Sequence, residues 1–394
     1  VFQSAPGHHA PENAVFARLV HGLPCFNPLR GITPRRMSNG TSEWTHPTGH
    51  CEYCNDIYWE NHMRQRATGQ VSFADMAVAH LGGPRAARLL ASLDAAVPWK
   101  QLVALVQKLP EYAKYIEDPS RPGERPIDPL VMLKALMLQK WYNLSDPQLE
   151  DLLLDRISFR RFVGLSQQDP TPDETTFVKF RRRLREAQLD QTIFDTILKH
   201  IQKQGLLVKQ GTIVDATIIQ QAVGQKTRQK DADGNALTTR DQEAGFTKKH
   251  GVSYHGYKMH TATDLSGIVT QVYISSARDH DSRHMDKLIE AEKRAVIADS
   301  AYSDGQRRQR LQRKGIIDAI CYKRVRGQAA LSPFQKRWNR VVSRIRAIGE
   351  HPYAWMKKLM HLGRCRYRGL RRNAFDLVMT AAAYNLRRSV SLAR

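Results

Sequence analysis

Hydrophobic and polar residues follow two different periods along this chain, and the change between them falls near Leu206. Before that point, from Ala74 onward, leucine, alanine and valine recur at spacings of three and four residues, which predicts helices with one buried face. After it, short β-branched runs predict strands, first in hairpins and then alternating with helices. The pattern therefore predicts an all-α region followed by a mixed α/β region.

Capping residues mark where two of the predicted helices begin. Ser145 and Asp146 with Pro147 mark the start of one helix, and Asp173 precedes another apolar-periodic run, as N-terminal caps do. The second of these helices ends in a cluster of arginines, namely Arg181, Arg182, Arg183 and Arg185. Short helices that end in such a cluster are typical of a DNA-binding module. A solvated basic helix face is the alternative interpretation.

The second half of the chain predicts strands and helices in a definite order. The polar residues 223–250 predict a long loop, and Asp281 is expected to cap the helix that follows it in the chain. The predicted strands cover residues 206–220, 253–264, 267–277, 295–300 and 315–324, and the predicted helices cover 281–293 and 332–362.

The net charge of the chain indicates which class of partner it binds. The chain has 61 basic and 38 acidic residues, a net charge of +23, which favours a polyanion such as nucleic acid over a membrane surface. We find no apolar run of about 18 residues and no signal-peptide pattern, so neither a membrane span nor export is expected. Five scattered cysteines predict no disulfide framework and suit a reducing cytosol.

Residues 1–62 differ from the rest of the chain. They are rich in proline, glycine, histidine and asparagine, and we expect a poorly ordered segment. Cys51 and Cys54 form half of a zinc site, but a second pair is missing, so an incidental cluster is the favoured interpretation.

Two aspartates interrupt or end apolar strands. Asp215 lies inside the run "TIVDATII", and Asp299 follows "AVIA". A carboxylate on a buried strand is unfavourable unless it is paired, hydrogen-bonded or bound to metal. Each residue alone could be a structural partner or a strand-end cap. Adjacent strands could instead bring both carboxylates to one magnesium site, where Mg²⁺ also binds substrate phosphate.

Glu350 is the candidate for a third carboxylate. It stands in a basic helix, with Arg346 and Lys357 on the same face, where they could contact DNA phosphates. A surface ion-pair cluster is the alternative interpretation. Pro352 is expected to bend or restart this helix just after Glu350. Lys258, on a predicted strand beside the site, is a further candidate phosphate contact.

These motifs resemble those of bacterial insertion-sequence transposases of the DDE type, in the group typified by insertion sequence five. The resemblance extends from about Met63 to Arg388. The motifs occur in the family's order: "WYNLSDPQLEDLLLD", "RRFVGL", "PDETTFVKFRRRL", "GTIVDATII", "YHGYKMHTATD", "SGIV", "ADSAY", "GEHPYAWMKK", "RYRGLRRN" and "AAYNLRR".

The resemblance implies a catalytic triad of Asp215, Asp299 and Glu350. The family's motif around the glutamate is Tyr-x2-Arg-x3-Glu-x6-Lys, and Arg346 and Lys357 match it, whereas Ser343 stands at the tyrosine position. The implied catalytic fold is that of ribonuclease H. The implied cofactor is a pair of Mg²⁺ ions, for which Mn²⁺ can substitute.

The expected organisation has three parts. These are a poorly ordered segment at 1–62, an all-α DNA-binding module at 63–205, and a ribonuclease H-like catalytic domain at 206–394. The resemblance implies a transposase that binds terminal inverted repeats, cleaves the element ends and joins the 3′ ends to target DNA. The expected partners are double-stranded DNA and further copies of the chain on DNA, in the cytoplasm at the bacterial nucleoid. A metal-dependent nuclease without strand transfer and an inactive DNA-binding remnant are the alternatives.

Overall fold

The computed structural model describes residues 85–393, apart from positions 225, 231–235, 239, 250, 291 and 293. The predicted poorly ordered segment at 1–62, with Cys51 and Cys54, lies outside the described residues. All the described residues belong to one compact unit, Trp59–Arg394.

Helices form the first part of the described chain, and local signals set their ends. Asp173 caps one helix by accepting a hydrogen bond from the Thr176 N–H at 2.7 Å, and Ser145 forms a capping box with Gln148, as predicted. Gly164 ends another helix in the left-handed region. The helices are α1 (Arg85–Ala96), α2 (Trp99–Val106), α3 (Pro110–Glu117), α4 (Pro129–Tyr142), α5 (Asp146–Asp155), α6 (Ile157–Val163), α7 (Glu174–Glu186) and α8 (Leu189–Lys203).

A mixed sheet follows the helices. Its order is β6–β5–β1–β7–β8, and β4 pairs with the first half of β5. β1 is antiparallel to β5 and parallel to β7, which is parallel to β8. The strands are β1 (Thr212–Gln220), β2 (Lys226–Lys230), β3 (Ala236–Thr238), β4 (Gly245–Lys249), β5 (Val252–Thr263), β6 (Val269–Ser276), β7 (Ala295–Ala298) and β8 (Ile317–Ile320). This α/β arrangement is the predicted ribonuclease H-like fold.

Four helices complete the α/β part: α9 (Met285–Leu288), α10 (Gly305–Arg313), α11 (Pro333–Leu359) and α12 (Leu370–Leu392). One apolar core spans the helical region, α12 and one face of the sheet, and a smaller core lies on the opposite face beneath α9 and α10. In α12, the Asn385 side chain exchanges two hydrogen bonds with the Val269 backbone, and the Ala383 carbonyl accepts from the Trp141 indole of α4. α12 therefore joins the sheet to the helical region.

Two secondary-structure predictions are wrong in detail. The predicted loop at 223–250 contains β2, β3 and β4, because edge strands are polar and lack the apolar alternation that identifies buried ones. The predicted helix at 281–293 is only a 3₁₀ turn, Asp281–Arg283, followed by α9. His280 caps that turn, whereas the Asp281 carboxylate pairs with Lys258 at 2.8 Å.

The helix that carries Glu350 is continuous. α11 begins with a capping box between Ser332 and Gln335 and runs without a break through Pro352. The expectation that Pro352 restarts the helix is therefore wrong. Close packing of α11 on the sheet requires a glycine at position 349, because a Cβ added there would lie 2.6 Å from Cγ2 of Ile213 on β1. A side chain at 349 would push α11 away from the sheet.

Candidate active site

Asp215 and Asp299 lie at the same level on neighbouring strands. The parallel register pairs Val214 of β1 with Ala298 of β7, and each aspartate is the next residue. Neighbouring strands are about 4.8 Å apart, so the two carboxylates lie close together. Asp299 also caps a 3₁₀ turn, since one of its carboxylate oxygens accepts a hydrogen bond from the Ser300 N–H at 2.6 Å. Asp299 is therefore both the cap at the end of β7 and a candidate site residue.

Glu350 reaches this edge of the sheet from α11. On one side of it, Gly349 packs against Ile213. On the other side, the Tyr353 hydroxyl donates to the main-chain oxygen of Asp215 at 2.9 Å. Contacts one residue before and three residues after Glu350 thus fix its helix turn directly over Asp215.

Arg346 bridges two of the three carboxylates. Its guanidinium lies 3.5 Å from Oδ1 of Asp299 and 3.2 Å from Oε1 of Glu350. The Arg346 side chain is only 17% exposed, whereas Asp299 and Glu350 are 45% and 60% exposed. A mostly buried cation therefore stands between two accessible anions and holds them within reach of one another.

The electrostatics of Asp215 differ from those of an ordinary surface carboxyl. Burial, with smaller contributions from the nearby Glu350 and Asp299 carboxylates, raises the pKa of Asp215 to about 6. The Ala216 N–H and the Arg346 guanidinium act in the opposite direction. An additional positive charge near Asp215 would favour its ionised form and lower its pKa.

The donor set suits Mg²⁺ in its chemistry. Asp215, Asp299 and Glu350 offer only carboxylate oxygens, the hard ligands that Mg²⁺ prefers. Within the part of the chain that the structure describes, no three His, Cys, Asp or Glu side chains are grouped as a ready metal site. The Arg346 guanidinium lies between Asp299 and Glu350, 3.5 Å and 3.2 Å from their nearest carboxylate oxygens. In ligand chemistry, these three carboxylates fit Mg²⁺.

The two predicted lysine contacts differ in their surroundings. Lys357 is exposed on α11, and its pKa is lowered by partial desolvation and by the neighbouring Lys249, while Asp215 opposes that change. Lys258 is 11% exposed, pairs with Asp281 and donates to the Asp279 carbonyl at 2.7 Å. Of these two lysines, Lys357 is the exposed one, and it interacts electrostatically with Asp215.

The arginine cluster of α7 divides into buried and accessible members. Arg181 is buried and forms a bidentate ion pair with Asp146 at 2.6 and 2.5 Å. Its prediction as a DNA contact does not agree with this position, because α7 turns that side chain towards α5. Arg183 pairs with Glu111 at 3.0 Å, whereas Arg182 is 60% exposed. Arg185 is partly exposed near Arg372 and Arg371, and its pKa is lowered chiefly by desolvation.

Sequence reasoning assigned no role to Tyr353. Its hydroxyl accepts a hydrogen bond from the Thr261 hydroxyl at 2.8 Å while it donates to the Asp215 carbonyl. A further contact of the hydroxyl, 3.2 Å long, is with the Met259 carbonyl. The only signal in the sequence was a tyrosine one helical turn after Glu350, and nothing in that spacing indicates which strands it would contact.

Two family models match the chain. Residues 207–386 match the model described as "Transposase DDE domain", and residues 83–183 match the model described as "Transposase domain (DUF772)". These matches support an insertion-sequence DDE transposase. The first matched region contains all three candidate carboxylates and every strand of the sheet.

Two solved structures of Mos1 complexes show a distant similarity. "Crystal structure of the Mos1 Strand Transfer Complex" is 10% identical, with 68% of this chain and 96% of that chain covered and a TM-score of 0.17. "Crystal structure of a pre-cleavage Mos1 transpososome" is 11% identical, with 79% and 99% covered and a TM-score of 0.16. No single helix in the described ranges has the length and apolar character needed to cross a bilayer.

Proposed function

We propose that this chain is a transposase of the insertion-sequence-five type that cleaves the ends of its element and joins the 3′ ends to target DNA. The observation that carries the proposal is the convergence of Asp215, Asp299 and Glu350 at one edge of the sheet. Residues separated by 84 and 51 positions in the sequence meet there, and Arg346 lies among them. The two transposase family matches support the same class of reaction.

Asp215, Asp299 and Glu350 would hold two Mg²⁺ ions. When bound, the ions would supply Lewis-acid activation of the attacking oxygen and stabilise negative charge at phosphorus. Cleavage forms a bond from a water oxygen to phosphorus and releases the 3′ oxygen of the element end. Joining forms a bond from that 3′ oxygen to a target phosphorus and breaks one phosphodiester in the target.

The protein side chains have separate roles in this scheme. Asp215 stays ionised above its raised pKa of about 6 and so presents a ligand charge at neutral pH. Arg346 balances the carboxylates and turns towards substrate phosphate when the ions bind. Lys357 attracts the DNA backbone from the same helix. No protein group forms a covalent bond to DNA.

DNA recognition would use two basic surfaces. The helical region, residues 63–205 in our division of the chain, would bind the terminal inverted repeats through the accessible arginines of α7. The stretch from Arg307 to Arg346 contains thirteen Lys or Arg residues and one acid, Asp318, and would bind the DNA backbone. Assembly as a multimer on DNA at the bacterial nucleoid completes the proposal.

One assay distinguishes this function from its alternatives. The full chain is incubated with Mg²⁺, labelled element-end DNA and a target plasmid. Joined products support the transposase, whereas cleavage without joining indicates a nuclease. A gel shift without cleavage indicates an inactive DNA-binding protein.

A matched pair of variants ties the result to the proposed site. Glu350→Gln removes a candidate ligand, while Glu290→Gln changes an exposed carboxylate outside the site and should retain wild-type cleavage. Cleavage by Glu350→Gln at the wild-type rate would exclude Glu350 from the reaction.

A further inference from the structure

The loop between β8 and α11, residues 321–331, leaves the sheet beside the candidate active site. The parallel register pairs Ala298 with Ile320, so Cys321 lies level with Asp299. The Cys321 N–H donates to the Ala298 carbonyl at 3.0 Å, which fixes that level. The 321–331 loop therefore starts one strand away from Asp299 and extends from the same edge of the sheet.

The base of the 321–331 loop is anchored on both sides. The Asn339 side chain of α11 accepts from the Tyr322 N–H at 2.7 Å and donates to its carbonyl at 3.0 Å. The Arg308 guanidinium donates to the Cys321 carbonyl and lies 4.6 Å from the centre of the Tyr322 ring. Below the loop, Phe334 packs with Tyr322. The loop thus rises from a fixed base.

The tip of the loop is a closed turn. The Gln328 N–H donates to the Val325 carbonyl at 3.0 Å, and Gly327 adopts a φ of 90°, which favours glycine. The Gln328 side chain donates to Gln335 at the start of α11. These contacts hold the backbone of the turn and leave the Val325 side chain pointing outward.

Val325 is an unusual residue for such an exposed position. It is 68% exposed, the highest value among the large hydrophobic side chains of the described residues. Exposed cations flank it, namely Lys323, Arg324 and Arg326. No acidic residue occurs in the sequence between Asp318 and Glu350. An exposed apolar side chain surrounded by cations suits a partner that has anionic groups on its outside and apolar groups inside.

Duplex DNA has that combination, with phosphates outside and stacked bases inside. We propose that Val325 is a wedge that enters the duplex at the element end and separates the terminal base pairs. The flanking cations hold the adjacent phosphates, and apolar side chains of other proteins open base steps in this way. Opening the end lets one strand reach the carboxylates at the same edge of the sheet. This inference rests on the proposed function.

The test compares two labelled duplexes carrying the inverted repeat of the encoding element, one fully paired and one mismatched at the end. Val325→Ser should cut the paired duplex about tenfold more slowly, which corresponds to a loss of about 1.4 kcal/mol of stabilisation of the opened end. It should cut the mismatched duplex at nearly the wild-type rate, because that end is already open. Leu154→Ser is the control, because Leu154 is 60% exposed but lies among acids on α5.

A second readout follows opening directly. With 2-aminopurine in the terminal pair, wild-type protein should raise the fluorescence on binding, and Val325→Ser should not. If the wild type cuts neither duplex, the proposed function fails, while the fluorescence change still tests the wedge.

Three results would overturn the wedge. The first is equal cutting of the paired duplex by wild type and Val325→Ser. The second is equal slowing on both duplexes. The third is a lower sedimentation mass of the free variant, which would make the loop a contact between protein chains.

Discussion

The carboxylates at the sheet edge and the arginines of α7 are both groups of like charge. The fold brings the carboxylates together from distant parts of the chain, whereas it directs neighbouring arginines to different environments. Asp215, Asp299 and Glu350 come from distant parts of the chain, and two of them remain largely accessible. Arg181 and Arg182 are adjacent in sequence, yet one is buried against Asp146 and the other is exposed. Proximity in sequence is therefore a poor guide to shared function on a helix, where adjacent residues are about 100° apart.

The largest expected effect tests the carboxylate cluster. Glu350→Gln should reduce cleavage about a thousandfold, since metal stabilisation is worth several kcal/mol and each 1.4 kcal/mol is tenfold. DNA affinity, measured by gel shift, should change little, because Gln keeps the shape of the side chain. A parallel loss of DNA binding would mean that Glu350 supports the structure, not the chemistry.

The next effect tests the arginine cluster. Arg181→Met should lower the free energy of unfolding by about 3 kcal/mol, because the partly buried Asp146 carboxylate would lose its ion pair and keep only its hydrogen bond from Gln139. Denaturant unfolding measures this. Arg182→Met should change stability by less than about 0.5 kcal/mol and lower the slope of DNA affinity against salt by about one. If Arg181→Met lowered the salt slope and left stability unchanged, Arg181 would be a DNA contact and would not differ in role from Arg182.

A pH effect distinguishes Asp215 from an ordinary surface acid. Its pKa is raised from 3.8 to about 6 in the fold, so between these two values the folded state binds a proton that the unfolded state has released. Stability therefore falls as pH rises from about 4 to 6 and remains lowered above 6. In a chelator, Asp215→Asn should raise the free energy of unfolding at pH 7.5 by about 3 kcal/mol.

That gain should disappear as the pH approaches 4, where wild-type Asp215 is protonated in both states. Thermal unfolding across this range is the measurement. Mg²⁺ should then stabilise the wild type more than Asp215→Asn. A gain that does not change with pH would show that Asp215 is not the titrating group.

The smallest effect concerns the support of the site. Tyr353→Phe removes the hydroxyl that links α11 to β1 and β5, and should lower stability by about 1 kcal/mol. Cleavage should fall through kcat, about tenfold, with KM unchanged, because the Glu350 turn loses its register with Asp215. Tyr384→Phe, which removes a buried hydroxyl bond to Gly267, should match the stability loss and spare cleavage.

Local patterns predicted much of the fold. Ser145 and Asp173 cap helices as expected, and the β5–β6 hairpin and the long α11 were predicted from periodicity. The predictions from sequence patterns were wrong where tertiary contacts determine the local structure. β4 is a strand because β5 offers it an edge, and Asp281 pairs with Lys258 in place of capping a helix.

The sequence by itself identified the three candidate carboxylates and their order, since Asp215 and Asp299 stand out in apolar strands and the family motif marks Glu350 in its basic helix. The tertiary structure decided which charges meet. Strand register placed Asp215 beside Asp299, and the Gly349 contact and the Tyr353 hydroxyl brought Glu350 over them. The physical reason is that local propensity acts over a few residues, whereas strand pairing and helix docking join residues more than fifty positions apart.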